Sequence, residues 1–275
     1  MVEKGLPHPD IREIQPLRGK TAVITGTSRG IGAEIAKSLA MAGVNIVGNH
    51  VDPAAGKVRR QERVNADIQF YGVQATSVLA DITEPEGRLA LLQAAIMPEG
   101  ATEPRNIDYL ILNAAGGLEK DKPEGWAEKI NIEAQLALVD LFTPYMNHGG
   151  KVIYITSLWA HRFGEVKQLP SYEPVARTKN AAEKLLREKI PEFNEKGVSL
   201  GILCGHVIKG TAAHMLFRRA FPKRLAQIEQ TATGGVFPEA SDMGRAALYM
   251  ILSNFKSGFT KYVGGTEAEP IFRSS

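Results

Sequence analysis

The hydrophobic positions of this 275-residue chain follow two alternating patterns. Short apolar runs rich in β-branched residues are each followed by a longer segment with apolar residues at helical spacing, which predicts strands alternating with helices. The first strand is predicted at Thr21–Thr25, and the helical pattern after it begins at Ile31. Further strands are predicted at 44–47, 76–80, 107–112, 151–156 and 198–203, with helices at 54–71, 86–96, 126–146 and from Pro174 onward.

The predicted strands are continuous apolar runs rather than alternations of apolar and polar residues. This is typical of parallel strands that are covered on both faces. Repeated strand–helix alternation then predicts an α/β fold, a doubly wound parallel sheet of about seven strands with helices on both faces. We expect an N-terminal extension over 1–18 and a single domain over 19–275.

The segment 206–235 stands apart from this alternation. It contains helical stretches and a basic cluster formed by Arg218, Arg219, Lys223 and Arg224. Two interpretations are open, a solvated helix face or a substrate lid with a cationic rim.

Composition narrows the function classes. The formal net charge is only +3, from 33 Lys+Arg against 30 Asp+Glu, which is too weak for nucleic-acid binding through phosphate contacts. The single cysteine, Cys204, allows no intramolecular disulfide and no multi-cysteine zinc site, so no metal is expected. With no apolar run of about 18 residues, we expect no membrane partner and a cytoplasmic protein.

A glycine-rich loop follows the first predicted strand. It carries Gly26, Ser28, Arg29, Gly30, Ile31 and Gly32. Glycines at this place let the backbone approach a pyrophosphate, which the free N–H groups of the following helix then bind. A plain helix-entry turn would also use glycines, so the position after the first strand of an alternating chain is what favours the binding interpretation.

The spacing Thr25-Gly-X3-Gly-X-Gly32 resembles the cofactor loop of the short-chain dehydrogenase/reductase family. Further matches follow in the family's order, at Asp81-Ile82, Leu112-Asn113-Ala114-Ala115-Gly116, Asn131, Ile155-Thr156-Ser157 and Tyr262-Val263-Gly264-Gly265. The resemblance implies a Rossmann-type fold and a nicotinamide cofactor. It also implies a homodimer or homotetramer built through helices 126–146 and 174–195. Outside the glycine loop, it implies cofactor contacts at Asp81, Ile82, Asn113, Ala114, Gly116, Lys179 and Ile208.

The choice between NADP(H) and NAD(H) depends on charge near the adenine ribose. An acid at the end of the second strand bonds the ribose hydroxyls and repels a 2′-phosphate, whereas an arginine accepts the phosphate. His50 stands at the family's acidic position, with Asp52 close by, and Arg29 lies in the loop. We therefore expect NADP(H) to be preferred, with NAD(H) possible.

The resemblance implies Asn131, Ser157, Tyr172 and Lys179 as the catalytic set. In the family, serine orients the carbonyl, tyrosine gives the proton, lysine holds the ribose and lowers the pKa of the tyrosine, and asparagine holds a water. The family's tyrosine and lysine are four residues apart, but Tyr172 and Lys179 are seven apart. On one helix, seven residues rise by about 10.5 Å and four by about 6 Å.

Three alignments of this motif are open. Matching the lysine puts Val175 in the place of the tyrosine, and matching the tyrosine puts Ala176 in the place of the lysine. In the third, the helix begins at Pro174 and Tyr172 turns back towards Ser157 from the preceding loop. His161 and His206 are candidates for another acid, although each suits a plain polar loop residue, and Cys204 suits a small buried hydrophobe.

Two functions follow from these alignments. The first is an NADPH-dependent oxidoreductase of the 3-oxoacyl reductase type, which acts on a small-molecule carbonyl or acyl-thioester substrate. The alternative is a catalytically impaired protein of the same fold that binds the nucleotide as a regulator or structural partner.

Overall fold

The computed structural model describes residues 15–51, 55–119, 121–165 and 168–265. Within these ranges, seven strands form one parallel sheet in the order β3-β2-β1-β4-β5-β6-β7. The strands are β1 Thr21–Ile24, β2 Asn45–His50, β3 Ala75–Leu79, β4 Ile107–Leu112, β5 Met146–Ser157, β6 Ser199–Gly205 and β7 Phe259–Val263.

Helices connect the strands and cover both faces of the sheet. They are α1 Gly30–Met41, α2 Ala55–Gln69, α3 Pro85–Ile96, α4 Trp126–Glu128, α5 Ala134–Phe142, α6 Leu158–His161, α7 Glu173–Glu188, α8 Ile190–Glu195, α9 Ala212–Ala220, α10 Pro222–Thr231 and α11 Ala240–Leu252. A π-helical turn at Lys129–Glu133 joins α4 to α5, and short 3₁₀ turns lie at Thr143–Tyr145 and Thr233–Gly235.

The predicted doubly wound sheet is confirmed, while two predicted long helices are wrong in detail. The helix expected over 126–146 contains the π turn and ends in a 3₁₀ turn at Tyr145, since Met146 already begins β5. The helix expected over 174–195 is interrupted at Lys189, where α8 restarts with Pro191 in its first turn. Proline has no N–H to give to the preceding turn and marks such a restart.

Burial explains the apolar strands. All six residues of β4, the central strand, are buried. One core cluster packs α1 and α11 against one face of the sheet, and a second packs α3, α5 and α7 against the other. Each strand therefore needs apolar side chains in both directions, which is why the sequence shows no alternation.

The strand order reverses between β1 and β4, so the loops at their carboxyl ends diverge to opposite sides. Open α/β sheets bind ligands in the crevice that this divergence creates. Residues 1–14, most of the expected extension, lie outside the described residues, as does Asp52.

We expect Leu138→Ala to lower the free energy of unfolding by about 2–5 kcal/mol, because it leaves a cavity in the second core. Leu138 is 0% exposed. The matched control is Leu89→Ala, since Leu89 is 55% exposed and its loss should change stability by about 0.5 kcal/mol or less. Urea unfolding followed by circular dichroism measures both, and equal losses would contradict the burial assignment.

Candidate active site

The glycine loop between β1 and α1 needs its glycines for two separate reasons. Gly26 and Gly30 have φ of +73° and +59°, a region that side chains disfavour. Gly32 instead packs against the loop, and a Cβ there would lie 2.2 Å from the Gly26 carbonyl oxygen. Arg29, the N-cap residue of α1, makes no side-chain cap hydrogen bond, so the first N–H groups of the helix face the loop.

Thr25 and Asn113 fasten this loop to the end of β4. The Thr25 hydroxyl oxygen accepts the N–H groups of Asn113 and Ala114, both at 2.9 Å. The Asn113 amide in turn donates to the Thr25 carbonyl at 2.8 Å and the Gly26 carbonyl at 3.3 Å. The two loops at the switch point are therefore one hydrogen-bonded unit.

The end of β2 borders the nucleotide side of this unit. The buried Asn49 side chain accepts the Gly26 N–H at 2.9 Å and donates to the Ala80 carbonyl at 2.8 Å. His50, the last residue of β2, is half-buried, and β2 itself carries no carboxylate. Arg29 is exposed at the loop.

The residues after β3 have local roles in the structure. The Asp81 carboxylate accepts the Thr83 N–H at 2.9 Å and its hydroxyl at 2.8 Å. The Ile82 side chain lies in the core, which leaves only its backbone for a nucleotide contact.

Ser157 and Tyr172 meet at the carboxyl end of β5. Their hydroxyl oxygens are 2.9 Å apart. Ser157 ends β5 and caps α6 by accepting the Ala160 N–H at 3.2 Å. Tyr172 is the N-cap residue of α7, with Pro174 in the first turn, as the displaced-tyrosine alignment expects. Of the three alignments, the geometry supports this one.

Tyr172, Val175 and Lys179 are spaced i, i+3 and i+7. Residues at this spacing lie on one face of a helix, so Lys179 shares a face of α7 with the other two. Val175 lines the cavity in the place where the family has its tyrosine. Burial lowers the pKa of Lys179 to about 8, while the charge of Glu183 acts in the opposite direction. The Lys179 Nζ atom lies 5.2 Å from the centroid of the Tyr154 ring.

The pKa of Tyr172 is raised by burial, and the hydrogen bond between Tyr172 and Ser157 only partly offsets this. The resemblance implies instead that Lys179 lowers the pKa of Tyr172. Lys179 is not among the groups that shift this pKa. The seven-residue spacing gives the physical reason, since it places the ammonium farther along the helix than in a four-residue motif.

Asn131 lies within the π turn and is buried. Its amide group donates to the Gly116 carbonyl and the Thr178 hydroxyl, both at 2.9 Å, and its oxygen accepts the Gly116 N–H at 3.1 Å. The side chain thus ties the loop after β4 to α7. π turns occur frequently at functional sites.

A cavity of about 250 Å³ connects the glycine loop with the Ser157–Tyr172 pair. Predicted site residues that line it are Arg29, Ile31, Asn113 and Gly116 on one side and Ser157, Tyr172, Lys179 and Ile208 on the other. Gly26, Ser28, Gly30, Gly32, Ala114 and Asn131 do not line this cavity.

Two aromatic residues of the cavity wall were missed by the sequence analysis. Trp159 of α6 and Phe217 of α9 have ring centroids 4.7 Å apart, and each lies 5.4 Å from the Tyr172 ring. Phe217 belongs to the segment 206–235, so this segment forms part of the wall. Its helical periodicity was the available signal, but it does not show which face turns inwards.

The histidine candidates have other partners. The Nδ1 atom of His161 contacts the Glu183 carboxylate at 2.8 Å and its Nε2 atom contacts the Tyr262 hydroxyl at 3.1 Å. The Nδ1 atom of His206 accepts the Val207 N–H at 2.7 Å, and burial lowers the pKa of His206 to about 4. Cys204 is fully buried, which raises the pKa of its thiol.

Comparison with known proteins places this geometry in a family. The family model for short chain dehydrogenases matches residues 20–220. The chain is 31% identical over 242 residues to the 7alpha-hydroxysteroid dehydrogenase of Escherichia coli, covering 85% of this chain and 88% of that protein. The chain belongs to the short-chain dehydrogenase family.

Other relatives agree with this assignment. The hydroxynaphthalene reductase arp2 of Aspergillus fumigatus is 31% identical over 202 residues, covering 70% of this chain and 68% of that protein. A solved 7 alpha-hydroxysteroid dehydrogenase complexed with NADH and 7-oxo glycochenodeoxycholic acid superposes with a TM-score of 0.78 at 27% identity, covering 94% and 98% of the two chains.

As a family member, this dehydrogenase is an NAD(P)-dependent oxidoreductase that acts on CH–OH and C=O groups. The residues of the chain fit a dinucleotide, since the positive φ of Gly26 and Gly30 lets the backbone turn closely around a pyrophosphate and the helix N-terminus has no side-chain cap. In the described part of the chain, no group of three or more His, Cys, Asp or Glu side chains could hold a metal ion. None of the helices within the described ranges is long and apolar enough to cross a membrane.

We expect Gly32→Ala to weaken binding of NADPH and NADH by about tenfold or more, because the new methyl group displaces the Gly26 carbonyl and with it the phosphate loop. Isothermal titration of the nucleotides measures this loss. The control is Gly100→Ala, where the added Cβ meets nothing within 4 Å but strains a backbone with φ of +79°, so it should lower stability and leave nucleotide affinity unchanged. Unchanged affinity in Gly32→Ala would contradict the cradle.

Proposed function

We propose that this dehydrogenase is an NADPH-dependent carbonyl reductase in which Ser157 binds the substrate carbonyl and Tyr172 protonates it. The observation that carries the proposal is the 2.9 Å contact between the two hydroxyl groups at the cavity wall. Both can lie within hydrogen-bond reach of one carbonyl oxygen, as general acid catalysis requires. When bound, the nicotinamide nucleotide supplies the hydride.

The environment of Tyr172 suits an acid better than a base. Burial raises the pKa of its phenol, so the proton is present at neutral pH. Ser157 then shares the negative charge that develops on the substrate oxygen as the proton is transferred. This arrangement supports reduction as the direction of the reaction near pH 7.

Lys179 and Asn131 would support this pair. Lys179 lines the cavity beyond Val175, where its ammonium would hold the nicotinamide ribose. The Asn131 side chain keeps the loop after β4 against α7, and these bonds leave no amide hydrogen of Asn131 to hold a water of the proton relay.

The proposed preference for NADPH rests on the charges around the end of β2. Arg29 is exposed at the phosphate loop and His50 occupies the family's acidic position, so no carboxylate of β2 repels a 2′-phosphate. Gly26, Ser28, Gly30, Ile31 and Gly32 would cradle the pyrophosphate. Asp81, Ile82, Asn113, Ala114, Gly116 and Ile208 would complete the nucleotide site.

The cavity wall favours an apolar cyclic ketone as the first substrate candidate. Trp159 and Phe217 offer two aromatic faces beside Tyr172, and such faces bind flat or fused rings. The second candidate is a 3-oxoacyl thioester. It is favoured by Arg218, Arg219 and Lys223, which lie exposed on the segment 206–235, where they suit an anionic carrier.

The assembly and the compartment also belong to the proposal. We propose a cytoplasmic homodimer or homotetramer assembled through helices α5 and α7. A single buried free cysteine supports a reducing compartment.

We expect Tyr172→Phe to lower kcat for ketone reduction by about 10²–10⁴-fold, the usual contribution of a positioned general acid. NADPH oxidation at 340 nm with cyclic ketones, 3-oxoacyl thioesters and quinones measures it. Tyr249→Phe, an exposed position on α11, removes the same hydroxyl group elsewhere and should leave kcat unchanged.

Two outcomes would contradict this assignment. Full activity of Tyr172→Phe would show that another group gives the proton. Nucleotide binding by the wild-type protein without turnover of any compound in the panel would favour the impaired, regulatory alternative.

We expect His50→Asp to reduce the ratio of kcat/KM for NADPH to that for NADH by about tenfold or more, because the new carboxylate repels the 2′-phosphate and bonds the ribose hydroxyls. Steady-state kinetics with both nucleotides measures the ratio. His148→Asp makes the same chemical change at an exposed position near the amino end of β5 and serves as the control. A wild-type preference for NADH would overturn the proposal.

A further inference from the structure

Glu183 is a buried carboxylate to which the proposed proton transfer gives no role. It lies on α7 and is only 4% exposed. Its Oε1 atom accepts hydrogen bonds from Arg187 Nε at 3.0 Å and contacts His161 Nδ1 at 2.8 Å. Buried carboxylates are costly unless paired in this way.

The partners of Glu183 connect three elements. Arg187 donates onward to the Gly258 carbonyl at 2.7 Å and the Thr260 hydroxyl at 2.8 Å, at the start of β7. His161, on α6, contacts the Tyr262 hydroxyl of β7 at 3.1 Å. Glu183 is therefore the centre of a network that joins α6 and α7 to the last strand.

The position of Glu183 relative to Lys179 is fixed by the helix. Four residues separate them, so their Cβ atoms are about 5–6 Å apart on neighbouring turns. Ser157 and His161 are likewise four residues apart, across the start of α6. The network thus lies one helical turn beyond the Ser157 and Lys179 positions, and Glu183, His161 and Arg187 do not line the cavity.

We propose that Glu183 is a positioning residue of the active site, whose buried negative charge, held by Arg187 and His161, keeps the Lys179 ammonium protonated at neutral pH. The proposal rests on the role given to Lys179 above. Without a nearby anion, an ammonium buried this deeply loses its proton more readily.

The other groups around Lys179 do not provide that charge. Tyr154 of β5 presents its ring face, and Cys204 of β6 is a buried thiol whose pKa is raised by burial. Tyr172, at the start of α7, has a raised pKa for the same reason.

Arg177 is on α7 as well, and it forms its ion pair with Glu128 of α4. Burial lowers the pKa of Lys179, and Glu183 is the first of the groups that raise it.

The sign of the pH effect follows directly. Lys179 is charged below its pKa of about 8 and neutral above it. Removal of the Glu183 charge lowers this pKa further, so that Lys179 loses its proton closer to neutrality. Activity that depends on the ammonium then declines at a lower pH than in the wild type.

The test measures Lys179 directly in the full-length protein without nucleotide. Competitive labelling with acetic anhydride across pH 6–10, followed by peptide mass spectrometry, gives the titration midpoint of Lys179, with the exposed Lys184 as a reference for the reagent. We expect Glu183→Gln to move the Lys179 midpoint down by about one pH unit. Glu188→Gln, an exposed position on the same helix, should leave it in place.

Kinetics then separates the electrostatic link from the proposed catalysis. The alkaline limb of the kcat/KM profile should move with the labelling midpoint in Glu183→Gln, and Glu183→Asp should restore both. A Lys179 midpoint that is the same in wild type and Glu183→Gln overturns the inference. A moved midpoint with an unmoved kinetic limb supports the link and rejects the role of Lys179 in the proposed function.

A second variant keeps the test decisive if Glu183→Gln does not fold. Glu183→Gln/Arg187→Gln removes the carboxylate together with the half-buried arginine that pairs with it, so no arginine is left without its partner. The Lys179 midpoint should be lower in this double variant than in Arg187→Gln, which keeps the carboxylate, and equal midpoints in the two variants overturn the inference.

Discussion

The site depends first on the hydrogen bonds between Thr25 and Asn113, which hold the ends of β1 and β4 together where the sheet divides. Parallel strands direct all their carboxyl ends to one edge, and at this point the connections leave in opposite directions. These hydrogen bonds also fix the backbone of Gly26, against which Gly32 packs. The glycine loop and the loop after β4 therefore form a single wall of the cavity.

Burial is the second constraint, and it determines the other wall. A tyrosine hydroxyl taken out of water needs a partner, since an unsatisfied buried donor costs about 1–3 kcal/mol. Ser157 is the partner that Tyr172 finds. Because Tyr172 precedes Pro174 and stands at the helix cap, its ring can point back towards β5, while Val175 fills the place one turn further on.

The fold was predictable from the sequence because continuous apolar strands and glycine loops are local signals. The β4 run Ile107–Leu112 was predicted with its observed bounds. The break at Lys189 was harder to foresee, since proline is also accepted in a first helical turn. The site was only partly predictable, because the tyrosine spacing left three alignments open. The Trp159–Phe217 contact joins segments that are distant in sequence, so no local sequence pattern predicts it.

Burial also keeps most of the titratable groups in this site neutral, so that few of them carry a charge. His206 is held neutral, Cys204 keeps its proton, and Tyr172 keeps its phenol proton at neutral pH. Lys179 and Arg29 are the cations that line the cavity, and Glu183, which is paired with Arg187, lies one helical turn beyond Lys179. A site built in this way gives a proton at pH 7 more readily than it takes one. Oxidation of an alcohol needs the phenolate, and the raised pKa of Tyr172 makes that form scarce at neutral pH.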